Sequence, residues 1–162
     1  MLKIIKGLNS ADNGNIKTIV GARIGYLPQE PNLDLDKTVL DAYRHGLVGH
    51  EAEIVGELLG YGLLRYDDLS KTVRQLSIGQ RRKLEIACLI AERPNVLLLD
   101  EPTNHISLDV LEAFETAVVE FPGPVIAVSH DRWFIQRFGG RVWELVDGAL
   151  SINNNISNPS TQ

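Results

Sequence analysis

The amino-acid sequence predicts an α/β domain with a parallel sheet at its core and a small helical region beside it. Three observations carry that prediction. Val96-Leu97-Leu98-Leu99 is an unbroken apolar run held between Pro94-Asn95 and Asp100, the pattern of a strand covered on both faces. Val125-Ile126-Ala127-Val128 repeats the pattern between Pro122-Gly123-Pro124 and Ser129-His130-Asp131 and reads as the next buried strand. Between the two, Val110, Leu111, Phe114, Ala117 and Val118 recur three and four residues apart, which is one face of a helix. Strand, helix and strand joined by right-handed crossovers form the unit of a layered α/β fold.

The other elements follow in chain order. Met1 to Leu8 reads as the last turns of a helix. Asp12-Asn13-Gly14-Asn15 is a turn cluster, Ile16 to Val20 is apolar and β-branched, and Arg23-Ile24-Gly25-Tyr26-Leu27 is a short strand stopped by Pro28. Thr38 is placed to cap a helix, with Asp41 three residues on as its capping-box partner and Val39, Leu40 and Tyr43 as the apolar stripe. A second helix is expected from Glu51 to Leu59, giving a helical region over about residues 31–76 punctuated by Gly46, Gly49, Gly60 and Gly62. Ser77 precedes a mostly buried helix, Arg81 to Glu92, which Pro94 ends. Arg141 to Leu145 and Ala149-Leu150 form a hairpin around the turn dipeptide Asp147-Gly148. Residues 1–150 thus make one domain, and 151–162 is a loose polar tail.

Composition narrows the function classes. A chain of 162 residues with 44% hydrophobic and 23% charged side chains can bury a core without disulfide staples. The balance of 16 basic against 21 acidic residues, net −5, is not the footprint of a stand-alone nucleic-acid binder. The single cysteine, Cys88, excludes an internal disulfide and a multi-thiolate metal site, and fits a reducing compartment. The longest apolar run, Ile86 to Ala91, falls far short of the ~20 residues of a membrane helix. With no secretory h-region at the start, the expectation is a cytoplasmic protein with no transmembrane segment.

Ligands of open α/β sheets sit beyond the carboxyl ends of the strands, so the strand ends are where chemistry is sought. The Val96 strand runs into Asp100-Glu101 and is then fixed by Pro102. One acid can hold a hard cation through water while its neighbour orients an attacking water, as phosphoryl transfer requires; an acid pair can equally mark a solvated surface. His130 follows the next strand and is either a satisfied structural histidine or a partner of those acids at the same edge. Gln29, after the Tyr26-Leu27 strand, offers a neutral amide to a magnesium ion or its water. In Leu76-Ser77-Ile78-Gly79-Gln80, Ser77 can cap a helix, Gly79 permits close backbone approach, and the helix N-terminus attracts phosphate; an ordinary capped helix has the same pattern.

Taken in order, Leu76-Ser77-Ile78-Gly79-Gln80 with Arg81-Arg82-Lys83, then Leu97-Leu98-Leu99-Asp100-Glu101-Pro102-Thr103-Asn104-His105, then Val128-Ser129-His130-Asp131-Arg132, resemble the ATP-binding cassette (ABC) ATPases over roughly Leu2 to Leu150. Thr103-Asn104-His105, the arginines after the signature, and Arg23 to Glu30 upstream are most similar to the ABC-F subfamily. The resemblance implies a P-loop-NTPase-like nucleotide-binding domain, with ATP and Mg²⁺ as ligands and a second cassette, in cis or in trans, as partner. It implies Gln29 as the Q-loop residue near magnesium and the attacking water, and Ser77, Gly79 and Gln80 as the signature closing over a γ-phosphate held by a different cassette. It also implies Asp100 as the magnesium residue, Glu101 as the general base, Asp109 as the D-loop contact and His130 as the switch histidine. Ile78 stands where the commonest signature has its first glycine.

A P-loop reads G-x-x-x-x-G-K-[ST], and the 162 residues contain no such string. Met1 to Leu8 resembles the continuation of the helix that a P-loop opens, so the resemblance implies an N-terminally truncated cassette that is defective in hydrolysis; the polar tail after Leu150, without a long charged helical linker, resembles that of a second, C-terminal cassette. The subfamily implies a task on the ribosome, antibiotic resistance among them. Two alternatives stay open: the nucleotide-binding subunit of a transporter, against which Asn104-His105 argues, and a non-hydrolysing module that lends its signature to a partner cassette.

Overall fold

The computed structural model describes residues 1–153, excluding the side chains of Asp109, Ile152 and Asn153. Its core is a parallel three-stranded sheet of β1 (Ile24–Leu27), β2 (Val96–Asp100) and β3 (Val125–Val128) in the order β1-β2-β3. The register pairs Leu27 with Leu99 and Asp100 with Val128, so β2 is central and its last residue lies level with the ends of both neighbours. Centrality explains its unbroken apolar run: Leu97, Leu98 and Leu99 are all buried. β3 lies at the edge, which leaves it half-buried with Val128 exposed, where the sequence pattern suggested full coverage.

Helix α4 (Ile78–Ala91) joins two cores. Ile86 and Leu89 pack against Leu27, Leu97 and Leu99 of the sheet together with Phe114 and Val118 of α5 (Leu108–Val119) and Phe134 of α6 (Arg132–Phe138). On its other side Leu84 and Ala87 join a second cluster with Val39 and Tyr43 of α2 (Val39–Arg44) and Ile54 and Leu58 of α3 (Glu51–Gly60). A helix covered on two sides explains why its burial is not confined to one stripe. Its close approach to β1 depends on Gly25, where a Cβ would stand 2.6 Å from Leu89 Cδ1 and 2.9 Å from Pro94 Cβ.

Local chemistry sets the boundaries. Thr38 caps α2 by accepting the Asp41 amide at 3.1 Å, and its hydroxyl donates to the Asp41 carboxylate at 2.8 Å. α4 begins at Ile78, three residues before the expected Arg81, because Ser77 caps it in a reciprocal box with Gln80. α1 (Leu2–Lys6) ends at Gly7 in the left-handed conformation, and the Lys6 ammonium donates to the Ile24 carbonyl. The apolar piece Ile16 to Val20 is irregular and solvent-facing. At the far end β4 (Val142–Val146) and β5 (Ala149–Asn153) pair antiparallel around Asp147 and Gly148, both at positive φ as a primed hairpin turn requires. β5 therefore claims Ser151 to Asn153 from the expected tail, and residues 154–162 lie outside the described residues.

Candidate functional site

The parallel register brings the ends of β2 and β3 side by side, and with them Asp100, Glu101 and His130. Chain reversal after β2 puts Glu101 at φ +47, a left-handed conformation unusual for a side chain of this size. Its carboxylate is largely buried, and Oε2 meets His130 Nδ1 at 2.8 Å and the His130 backbone amide at 3.3 Å. The imidazole itself is mostly exposed. The hydrogen bond that His130 donates to Glu101, and then the Glu101 charge, hold the His130 pKa above the usual 6.5.

Asp100 is half-buried and has a different partner, the Tyr26 hydroxyl, which donates to Oδ2 at 3.2 Å. Burial, then the Asp100 charge, push the Tyr26 pKa above 10, so the phenol keeps the proton it donates. Gln29 is exposed just beyond β1 and shares with Asp100, Tyr26 and Glu85 a groove of about 730 Å³. An acid and an amide opening on one groove fit magnesium, which takes few protein ligands and keeps waters and phosphate oxygens. Among the described residues no group of three or more His, Cys, Asp or Glu side chains forms a closed metal cage.

Ser77 to Gln80 form the first turn of α4. Ser77 Oγ accepts the Gln80 amide at 3.2 Å while the Gln80 side-chain oxygen accepts the Ser77 amide at 3.0 Å, so that oxygen is committed to the cap. Ser77 and Ile78 face solvent. A Cβ at Gly79 would meet the His105 carbonyl at 3.5 Å, an ordinary contact, so internal packing does not demand glycine there. Asp109 falls in the first turn of α5; its side chain lies outside the described residues.

Sequence reading missed Arg82, Glu85 and Tyr26. Arg82 stands in the run Arg81-Arg82-Lys83, which looks like a solvated face, yet its side chain is fully buried. One guanidinium nitrogen donates to Glu85 Oε2 at 2.9 Å and to the Pro28 carbonyl at 2.5 Å; the other reaches the carbonyls of Glu101 at 3.4 Å and Pro102 at 3.3 Å. Glu85 Oε1 accepts the Asn32 amide at 3.1 Å. The signal available was the i,i+3 spacing of opposite charges inside a helix whose neighbours are apolar. Cys88 is inert by contrast, its thiol pushed up to about 12 by burial.

Residues 1–104 match the family described as ABC transporter. The chain belongs to the ABC family of ATP-binding cassettes. It is 38% identical over 146 residues to the "Putative ATP-binding protein YdiF" of Bacillus subtilis, which covers 90% of this chain and 23% of that protein. It is 39% identical over 152 residues to the "Tylosin resistance ATP-binding protein TlrC" of Streptomyces fradiae, covering 93% and 27%. Arabidopsis thaliana "ABC transporter F family member 5" is 37% identical, covering 93% and 22%, and the cassette is of this ABC-F type. The chain thus spans about a quarter of the length of the curated relatives it matches. A solved dimeric structure of MJ0796, a bacterial ABC transporter cassette, superposes with TM-score 0.75 at 26% identity, covering 91% of this chain and 75% of that one. The ABC fold is therefore established, and among the described residues no helix is long and apolar enough to cross a membrane.

Proposed function

We propose that this cassette belongs to a cytoplasmic ABC-F-type protein that couples ATP binding and hydrolysis to a task on the ribosome, with antibiotic resistance as one form of it. The observation that carries the nucleotide part is the joining of Glu101 to His130 beside Asp100 at the ends of adjacent parallel strands. Asp100 and Gln29 would hold magnesium, which when bound supplies positive charge to the phosphate oxygens. Glu101 orients the attacking water and takes its proton, and His130 fixes the direction of that carboxylate through the two bonds to Oε2. Ser77, Gly79 and Gln80 close over the γ-phosphate held by a second cassette, with Asp109 at the contact between the two. Residues 1–150 serve as the cassette, with 31–76 as its helical subdomain. The ribosomal part is supported by the names of relatives, the tylosin resistance protein and the "Energy-dependent translational throttle protein EttA" of Haemophilus influenzae, 28% identical.

Glycine amides and a lysine cradle phosphates in a P-loop, and that string is not among these 162 residues. We therefore expect the 162-residue chain alone to release phosphate from Mg-ATP at the background rate, unchanged in Glu101→Gln. A rate that Glu101→Gln abolishes overturns this. The ribosomal part is tested by fractionating cells that make the protein: it is expected in the ribosomal pellet with a non-hydrolysable ATP analogue and in the supernatant with ADP. Recovery in the membrane fraction with a membrane-spanning partner would instead favour a transporter. The outward-facing Ser77 and the packing-independent Gly79 favour one second reading, a module that lends its signature to another cassette. Its test is ATP-dependent co-elution with a P-loop-bearing cassette, lost in Ser77→Arg.

A further inference from the structure

The Arg82–Glu85 pair poses a physical question that stability does not answer. A buried ion pair seldom stabilises a fold more than apolar side chains of the same shape would, because both charges are stripped of water. Arg82 adds to that cost, since among the described residues its Nε has no hydrogen-bond partner. What the pair does supply is connectivity. The guanidinium fork has donors in a fixed plane, and here they reach the loop after β1 through Pro28 and the turn after β2 through Glu101 and Pro102. Glu85 completes the link by holding Arg82 with one oxygen and the Asn32 amide with the other. Both residues stand on α4, whose first turn carries Ser77 to Gln80.

The turn being held is the strained one. Glu101 keeps its left-handed backbone only while its surroundings enforce it, and its own carbonyl and that of Pro102 are the two that Arg82 contacts. The Glu101 carbonyl also accepts the Asn104 amide at 3.1 Å, so the same oxygen anchors the turn that follows. We propose that Arg82 and Glu85 are positioning residues: they clamp the Pro28–Asn32 loop, the signature-bearing helix and the Glu101 turn into one unit, so that a displacement of the loop is transmitted to the Glu101 carboxylate. The proposal rests on the nucleotide-site reading for the importance of Glu101; the mechanical linkage itself needs no nucleotide.

The test is native-state amide exchange on the 162-residue chain, read in each single variant where the substituted side chain makes no contact. Glu85→Gln keeps an acceptor for Asn32 but loses the charge that holds Arg82; exchange at Glu101 and Asn104 is expected to rise about tenfold or more, with the α5 amides unchanged. Arg82→Lys, which cannot bridge two segments, should speed exchange at Asn32 to a similar degree. The apolar double variant Arg82→Met/Glu85→Leu guards against simple unfolding. It is expected to melt near the parent temperature while Glu101 and Asn104 stay fast. Parent-like protection at Glu101 and Asn104 in the double variant, or a uniform rise across α5 as well, would make the pair mere packing and overturn the proposal. Because no nucleotide is present, that failure leaves the ATP-site reading untouched, and a failed ATP experiment leaves the clamp standing.

Discussion

The acid edge and the signature turn are both ends of secondary-structure elements, yet they are built in opposite ways. At the edge both acids have partners from elsewhere in the chain: Asp100 has Tyr26, Glu101 has His130, and Arg82 lies behind the turn. At the first turn of α4 the polar groups satisfy each other within four residues, and Ser77 and Ile78 are turned to solvent. The edge is prepared from within, as groups that must orient a water need to be. The signature turn is a finished local structure whose exposed groups serve something outside the fold. Substitutions at the edge should therefore spread through the chain, and those at the turn should stay local.

Arg82→Met alone gives the largest expected effect. It leaves Glu85 buried without its cation, and such broken pairs cost about 3–5 kcal/mol, seen as a lower urea midpoint at unchanged slope. Ile78→Ala, at a position 52% exposed, should stay within about 0.5 kcal/mol. The glycines give a second contrast. Gly25→Ala drives a methyl into Leu89 and Pro94 and should cost about 1–3 kcal/mol. Ser77→Ala removes the α4 cap at about 1 kcal/mol, with exchange faster in the first turn alone. Gly79→Ala should raise stability by about 0.5–1 kcal/mol in the same urea titration, since its methyl makes only an ordinary contact with the His105 carbonyl at 3.5 Å and the helix gains rigidity. A destabilised Gly79→Ala would mean that the turn is packed as tightly as the edge, and the contrast would fail.

How much of this was legible depends on whether the cause was local. Asp147-Gly148 fixes its hairpin, Thr38 fixes the start of α2, and the run Val96 to Leu99 marks a central strand, all through residues within a few positions of the feature. The acids and His130 could be named because strand ends are few and the register sets them level. α6 is not legible in the same way, because Asp131 stands in the sequence as the end of the Ser129-His130-Asp131 string, whereas it caps the helix by accepting the amides of Trp133 and Phe134. Arg82 and Glu85 were hidden for a different reason. Their burial follows from α4 being covered by two clusters, one from the sheet and one from α2 and α3, and no short window shows that both will cover the same helix. β3 shows the reverse error, an apolar run that promised two covered faces and received an edge position.

His130 gives the smallest effect and the most direct test of the edge as a prepared site. Its pKa lies above 6.5 because Glu101 accepts its hydrogen bond and faces its charge. A folded pKa raised above the unfolded value means that the His130–Glu101 pair stabilises the fold fully below pH 6.5, and that this stabilisation is lost as pH rises through the folded pKa. Glu101→Gln removes the charge and leaves only a neutral amide oxygen as acceptor, so the imidazole titration followed by NMR should move down toward 6.5, with the turn itself kept in place by Arg82. The stability difference between parent and variant should shrink as pH rises across that window, and rising salt should shrink it too, because the imidazole is exposed. A His130 titration unmoved by Glu101→Gln would place Glu101 with the signature residues, presented to solvent without an internal partner, and the distinction between the two regions would collapse at its central pair.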